Sequence, residues 1–395
     1  MSTGIQNQTA GFREAAGKRL GKIGLDLRLY GTRHGGIGRY CMELFPRILE
    51  MDKVNKYVAF LNKKQIAPEQ LKKLEKFNNL EIVDTKVRHY SVGEQVSFWH
   101  LLTKFNLDLV HFPNFNHPIF YRGAFVATIH DLVHHKISGA KKSRLLHFWA
   151  YKKVIENAAK KSRAIITVSE SAKKDIVNFL HVNPRKVDVV YEASSLNSNV
   201  PQELVDKVKK NFIISRPYFL FVGVLERKKN LVSLARGFDR FLQKHKAQMD
   251  LVIVGKADKH YPKIKHQALD IKNSNRIIFT GPVSEPELEA LYKGAYAFTT
   301  ASLHEGFGLP GVEALSFGLP VLASNTEVFN EIYDNAAIYF NPLDPDDIAE
   351  KMNLIVRDSQ FYEQLQQKSF NRSLQFSWEK SARQTLEVYE QILKK

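Results

Sequence analysis

Residues 302–320 read Ser-Leu-His-Glu-Gly-Phe-Gly-Leu-Pro-Gly-Val-Glu-Ala-Leu-Ser-Phe-Gly-Leu-Pro. Two carboxylates, Glu305 and Glu313, stand eight residues apart with Gly306, Gly308 and Gly311 between them. The run Ala297–Thr300 before them is rich in β-forming residues. After them Leu309, Val312, Leu315 and Phe317 have roughly helical spacing. Glu305 therefore reads as a loop residue and Glu313 as a residue on the helix behind it. The amides of Phe307, Gly308 and Leu309 then fall at a helix N-terminus, where anions and sugar oxygens bind well. A strand, a glycine-rich loop and a helix in that order are the unit of a parallel α/β sheet.

Outward from this stretch the same unit recurs. Ile23–Arg28 reads as a first strand, followed by the glycine loop 31–38 and a helix from Arg39 to Leu49. Further strands are expected at 57–61, 80–83, 109–112, 125–129, 164–168 and 187–190, with helices at 65–77, 93–105, 141–161 and 170–180. A polar stretch, Glu192–Pro201, precedes a short helix. Strand and helix then alternate again: 218–222, 229–245, 251–254, 277–280, 285–293, 297–300, 309–317 and 320–323. A last helix covers 379–393. The expected fold is α/β, with two doubly wound parallel-sheet domains facing a cleft. The expected divisions are a flexible leader 1–20, a first Rossmann-like domain 21–200, a linker 201–216, a second Rossmann-like domain 217–375 and a helix 376–395 returning to the first domain.

The chain has 395 residues, 44% hydrophobic and 25% charged, which suits a globular protein of two domains. No run of 18 apolar residues is present, and residues 1–20 lack the apolar segment of a secretory signal. One cysteine, Cys41, excludes an intramolecular disulfide, fits a reducing compartment and falls where a helix would pack it in the core. The charge is lopsided. Residues 1–200 hold 32 Lys and Arg against 17 Asp and Glu, or +15, whereas residues 201–395 hold 26 against 24, or +2. A basic half implies an anionic partner there: an acidic membrane, a lipid-phosphate acceptor or nucleic acid. Lys136–Arg163 contributes nine cations and one acid. Within it Lys141, Lys142, Arg144, Trp149, Lys152 and Lys153 would face an acceptor or membrane if the helix lies on a lipid surface.

Two further clusters carry chemistry. Phe221-Val-Gly-Val-Leu-Glu-Arg-Lys-Lys-Asn230 places a basic cluster after a strand-end glycine and at a helix start. Cations there oppose the helix dipole unless an anion joins them. Thr128-Ile-His-Asp-Leu-Val133 places His130 and Asp131 at a strand end, where an α/β sheet opens to its ligand.

Together these stretches resemble the retaining family 4 (group 1) glycosyltransferases, over about residues 22–393, and in motif text the bacterial mannosyltransferases of surface polysaccharide. The resemblance implies the GT-B architecture, in which the first domain takes the acceptor and the second the nucleotide-sugar donor. It implies that Glu305 contacts the donor sugar and Glu313 the nucleotide ribose. Lys229 matches the lysine of the family's G-x-L-E-P-R-K-N motif. Lys228 stands at its arginine and Arg227 at its proline, so either can be the second phosphate ligand. The glycine loop with Gly36 and Arg39 resembles the family's G-G-I-G loop near the diphosphate and acceptor. His130 would touch the donor sugar, and Val283 belongs to the donor side. No metal or other cofactor is expected; the nucleotide sugar is a substrate. The expected activity is retaining hexosyl transfer, first of all mannose from GDP-mannose, to a lipid-linked or polysaccharide glycan at the cytoplasmic side of a membrane. A nucleotide-sugar 2-epimerase of the same architecture is the alternative. A basic nucleic-acid-binding protein ranks below it, because no nucleic-acid-binding motif appears.

Overall fold

The computed structural model describes residues 21–31, 35–132, 142–258 and 263–394; the side chains of 142–148 lie outside that description. The leader 1–20 and Lys141 are also outside it.

The first half is a seven-stranded, all-parallel sheet: β1 (Lys22–Asp26), β2 (Lys56–Leu61), β3 (Leu80–Asp84), β4 (Leu109–Phe112), β5 (Phe125–Thr128), β6 (Ala164–Thr167) and β7 (Val187–Val189). Their order is β3-β2-β1-β4-β5-β6-β7. The second half is a six-stranded parallel sheet: β8 (Tyr218–Val222), β9 (Asp250–Val254), β10 (Ile277–Gly281), β11 (Ala297–Thr300), β12 (Val321–Ser324) and β13 (Ala337–Phe340). Its order is β10-β9-β8-β11-β12-β13. Strands β4, β5, β6, β11 and β12 are buried at every residue, because helices cover both sheet faces.

In each sheet the chain works outward on one side and then jumps back to start the other. The jumps fall between β1 and β4 and between β8 and β11. At such switch points the connecting loops diverge and leave a crevice beyond the strand C-termini. The glycine loop follows β1, the basic cluster follows β8, and the Glu305 loop follows β11. Motifs distant in sequence are thus delivered to two facing crevices.

Helices form where caps and apolar stripes agree. In Gly35–Met51 the buried residues Tyr40, Cys41, Leu44, Phe45, Ile48 and Leu49 recur every three or four positions. The segment expected as one helix over 93–105 is split. Glu94–Phe98 is a π-helical turn and Trp99–Thr103 is α-helical. Helices Ile264–Ala268, Glu327–Tyr333, Pro345–Arg357 and Ser359–Ser373 and strand β13 were not anticipated. Their caps were visible: Thr326 accepts from Phe329 N–H, and Asp358 from Phe361 N–H. Asp344 likewise caps Pro345–Arg357, accepting from Asp346 N–H at 2.9 Å. The short helix Gln202–Asn211 packs against helix Glu285–Gly294 of the second half.

The last helix, Trp378–Leu393, returns to pack on Gly35–Met51 of the first half. Arg47 Nε donates to Glu379 at 2.7 Å, and the Tyr389 hydroxyl meets His111 Nδ1 at 2.5 Å. Trp378, 2% exposed, lies edge-on to Tyr40 at 6.1 Å. Trp378→Ala should therefore cost about 3–5 kcal/mol, read as a lower urea midpoint. A loss below about 1 kcal/mol would show that this helix does not tie the halves together.

Candidate functional site

The site is built first at the end of β8. After Val222 the chain turns through Gly223 into a 3-10 turn, Arg227–Lys229, that ends at Asn230 in the left-handed region. The loop after β11 is tied to that turn, for Leu303 N–H donates to the Lys228 carbonyl at 2.8 Å. This brings Glu305 to the two lysines. Lys229 Nζ donates to Glu305 Oε1 at 2.5 Å, and Lys228 Nζ lies 3.9 Å from Oε2. Burial alone would push the Glu305 carboxyl up, but the charges of Lys229 and Lys228 outweigh it and hold the group below its usual range. Burial likewise disfavours the charged Lys228, yet Glu305, Asp131 and Glu226 raise it well above an ordinary lysine. Arg227 is exposed on the same turn. Of the two cations left open by the sequence, Lys228 is the one that joins the carboxylate.

The first half supplies the opposite wall. His130 follows β5, with Nε2 3.0 Å from the Pro113 carbonyl and Nδ1 3.2 Å from Glu192 Oε1. Both neighbours accept, so donation to both requires the doubly protonated ring. Burial opposes that form, but the hydrogen bond and charge of Glu192 prevail and the His130 pKa is raised. Asp131 lies 3.9 Å from Lys228. The backbone of the Glu305 loop presses on this wall. A Cβ on Gly306 would fall 2.1 Å from the His130 carbonyl oxygen, so only glycine permits the approach. Ser169 Oγ donates to the Gly306 carbonyl at 2.7 Å.

Helix Leu309–Ser316 starts from Gly308, whose φ of +96° is the left-handed geometry that glycine tolerates. It carries Glu313, 3% exposed. Glu313 Oε1 accepts from Arg39 at 2.5 Å and Oε2 from the Tyr292 hydroxyl at 2.8 Å. Burial raises this carboxyl, and Arg39 and Tyr292 only partly offset it. Arg39 was expected on the acceptor or membrane side. Its guanidinium reaches across the cleft to Glu313, with Glu285 at 3.4 Å, because Glu313 is buried and needs a cation.

Gly36 is exposed in the first turn of its helix, and Val283 and Leu309 pack partly buried on the core. The Phe307 side chain is core as well, 5.8 Å from Phe376, so only its backbone is offered to a ligand. On helix Lys142–Lys161, Trp149 is 63% exposed, Lys152 Nζ lies 5.8 Å from its ring, and Lys153 is exposed. Lys141 and the side chains of Lys142 and Arg144 lie outside the described residues.

Sequence reading missed Glu192 and Tyr292, which hold His130 and Glu313 from distant segments. It also missed a buried charge cluster at the end of β1 and in the segment after β3. Arg28 binds Asp26 through two bonds of 2.7 Å and Glu94 through a third of 2.7 Å. His89 lies beside both carboxylates, and Asp26, His89 and Glu94 form a trio with metal-ligand spacing among the described residues. Arg28 already supplies the positive charge between those carboxylates.

Comparison with known proteins bears on the family and the fold. The model for Glycosyltransferase Family 4 matches residues 34–194, and that for Glycosyl transferases group 1 matches residues 205–372. The O-antigen chain mannosyltransferase RfbU of Salmonella typhimurium is 30% identical over 195 residues, 48% of this chain and 50% of its own length. The chain thus spans half of that relative. O-antigen chain mannosyltransferase B of Escherichia coli is 25% identical over 71% of this chain and 74% of its own. The fold matches the crystal structure of Anabaena Alr3699/HepE in complex with UDP and glucose, with a TM-score of 0.73 and 15% identity over 94% of this chain and 100% of that one. Among the described residues no helix is long and apolar enough to cross a membrane. With the two models meeting at the junction of the two sheets, the chain belongs to the group 1 glycosyltransferases that carry a family 4 first half.

Proposed function

We propose that this protein is a retaining hexosyltransferase that moves a sugar, mannose from GDP-mannose before others, from a nucleoside diphosphate to a hydroxyl of a lipid-linked or polysaccharide glycan. The observation that carries this reading is the convergence of Lys228, Lys229 and Glu305 at the β8–β11 switch point, with His130 on the facing wall. A diphosphate would take the two ammonium groups from Glu305. The freed carboxylate oxygens would accept hydrogen bonds from sugar hydroxyls. The lysines would then stabilise charge developing on the leaving phosphate. Ribose hydroxyls would compete with Arg39 for Glu313. His130, held as an imidazolium, would donate to the sugar or phosphate side. The leaving phosphate would assist deprotonation of the acceptor on the same face, as the family resemblance implies. The cationic role rests on lysines, so the reading calls for no resident metal. The relatives named mannosyltransferases support the choice of sugar.

A peripheral place on an anionic membrane fits the +15 first half and the outward Trp149 with Lys152 beside it. Each cation near such a surface contributes about 1 kcal/mol, screened by salt.

A screen of GDP-, UDP- and dTDP-sugars for hydrolysis and for transfer to added glycan tests the reaction. Glu305→Ala should lower transfer by about 10²-fold or more. Near-normal turnover in a folded variant sinks the Glu305 assignment, and C2 epimerisation of the donor without transfer favours the epimerase. In calorimetry of nucleoside diphosphate binding, Lys228→Ala and Lys229→Ala should each weaken affinity by about tenfold or more, and Arg227→Ala by much less. Equal effects in all three would remove the distinction drawn between Arg227 and Lys228. In co-sedimentation, binding to anionic vesicles should fall with salt. It should also fall when Lys141, Lys142, Arg144, Lys152 and Lys153 are reversed in charge. Equal binding to neutral and anionic vesicles at low salt would leave a soluble acceptor as the better reading.

A further inference from the structure

Tyr90 is the oddest exposed residue in the first half. It is 65% exposed, although it is large and aromatic. Its backbone has φ of +58°, a region that bulky side chains rarely occupy. Strain of this kind persists only where the surroundings fix it. Here they fix both ends. Tyr90 N–H donates to Glu94 Oε2 at 3.0 Å, and Asn114 Nδ2 donates to the Tyr90 hydroxyl at 2.7 Å. Glu94 is itself gripped by Arg28 at 2.7 Å and by Asn116 Nδ2 at 2.6 Å, and it is only 1% exposed. Asp26 completes the network from the end of β1. Burying two carboxylates and a guanidinium brings little net stability, since desolvation cancels much of the attraction. What this network does achieve is to lock an exposed aromatic in one place. Glu94 also opens the π-helical turn Glu94–Phe98, and such turns are frequent at functional sites.

The position of the ring matters. Tyr90 lies 6.2 Å from Phe115, and Phe115 lies edge-on to Tyr151 at 5.1 Å. These rings stand beyond the C-termini of β1 and β4, at the switch point of the first sheet. Asp131, 3.9 Å from Lys228, acts electrostatically on the phenols of both Tyr90 and Tyr151. The hydroxyl end of Tyr90 is held inward at Asn114 while the rest of its ring stays open, and burial of that end, with Glu94 and Asp131 adding to it, pushes its phenol up; burial and Asp131 do the same for Tyr151, so each keeps its proton.

We propose that Tyr90, flanked by Phe115 and Tyr151, is the acceptor platform: the apolar C–H face of an acceptor pyranose stacks on the Tyr90 ring and its hydroxyl edge turns toward Asp131 and the Glu305–Lys228 pair. The chemistry fits, because a pyranose is apolar on its axial C–H face and polar on its rim. A rigid aromatic with a polar tip matches both at small entropic cost. The assignment rests on the transferase reading above and deepens it by naming where the acceptor sits. Tyr90 is then a specificity residue that touches substrate. Glu94, Arg28 and Asn114 are positioning residues that act through it.

The test uses the full chain with methyl α-mannopyranoside, methyl β-glucopyranoside and methyl β-galactopyranoside as probes. Ligand-observed NMR in the presence of nucleoside diphosphate reads their binding, and calorimetry on the same samples reads the diphosphate. At least one hexoside should bind with its axial C–H protons closest to the protein. Tyr90→Ala should weaken that binding about tenfold or more, while Tyr90→Phe and Tyr90→Trp stay within about threefold. Diphosphate affinity should be unchanged in all three, which also shows that they are folded. Equal hexoside binding by Tyr90→Ala and wild type overturns the platform, as does no hexoside binding by wild type. Failure of the wild type to bind any nucleoside diphosphate overturns the transferase reading, and this assignment with it.

Discussion

A buried carboxylate must find a cation or hydrogen-bond donors, and in this protein that requirement sets how the two halves meet. Glu313 sits on the second half and is answered by Arg39 of the first. Glu305 is answered by Lys228 and Lys229, and Lys228 in turn lies beside Asp131 of the first half. Glu331 accepts from the backbone N–H groups of Glu170 and Ser171, capping the first-half helix Glu170–Leu180. An unpaired charge at the nearly buried Glu313 or Glu305 would cost several kcal/mol. Each pair therefore constrains the distance between the sheets.

Polar pairing of this kind differs from an apolar seam in one respect. Its partners can be exchanged. A phosphate can replace a carboxylate at a lysine, and a hydroxyl can replace a lysine at a carboxylate, with the number of hydrogen bonds nearly conserved. A cleft lined in this way is held together by pairs that a ligand's own charges and hydroxyls can take over. The apolar contacts that tie the halves lie directly behind that lining, with the Tyr40 ring 4.8 Å from His130. Phe307, Tyr191 and Phe376 form one such contact, and Trp378 with Tyr40 forms another.

The first half uses the same economy differently. Its internal network of Asp26, Arg28 and Glu94 is closed upon itself and nearly solvent-free. It does not join the halves. It fixes the crevice wall that bears the exposed ring of Tyr90 and the half-buried ring of Tyr151.

Strand and helix alternation, the two sheets and their cleft were legible in the sequence because each strand is a short apolar run and each motif follows one. The loop place of Glu305 and the helical place of Glu313 were legible from glycine content and apolar spacing alone. Their partners were not. Arg39 and Glu313 are 274 residues apart, and Lys229 and Glu305 are 76 apart. No local pattern records which distant charge a buried carboxylate will meet. Glu192, Tyr292 and Glu94 look like ordinary polar residues until the sheet order places them beside His130, Glu313 and Arg28. The sequence by itself determined which residue types stand at the strand ends. Only the tertiary structure decided which of them pair, since pairing depends on strand order at the switch points and on burial, and neither is a property of neighbouring residues.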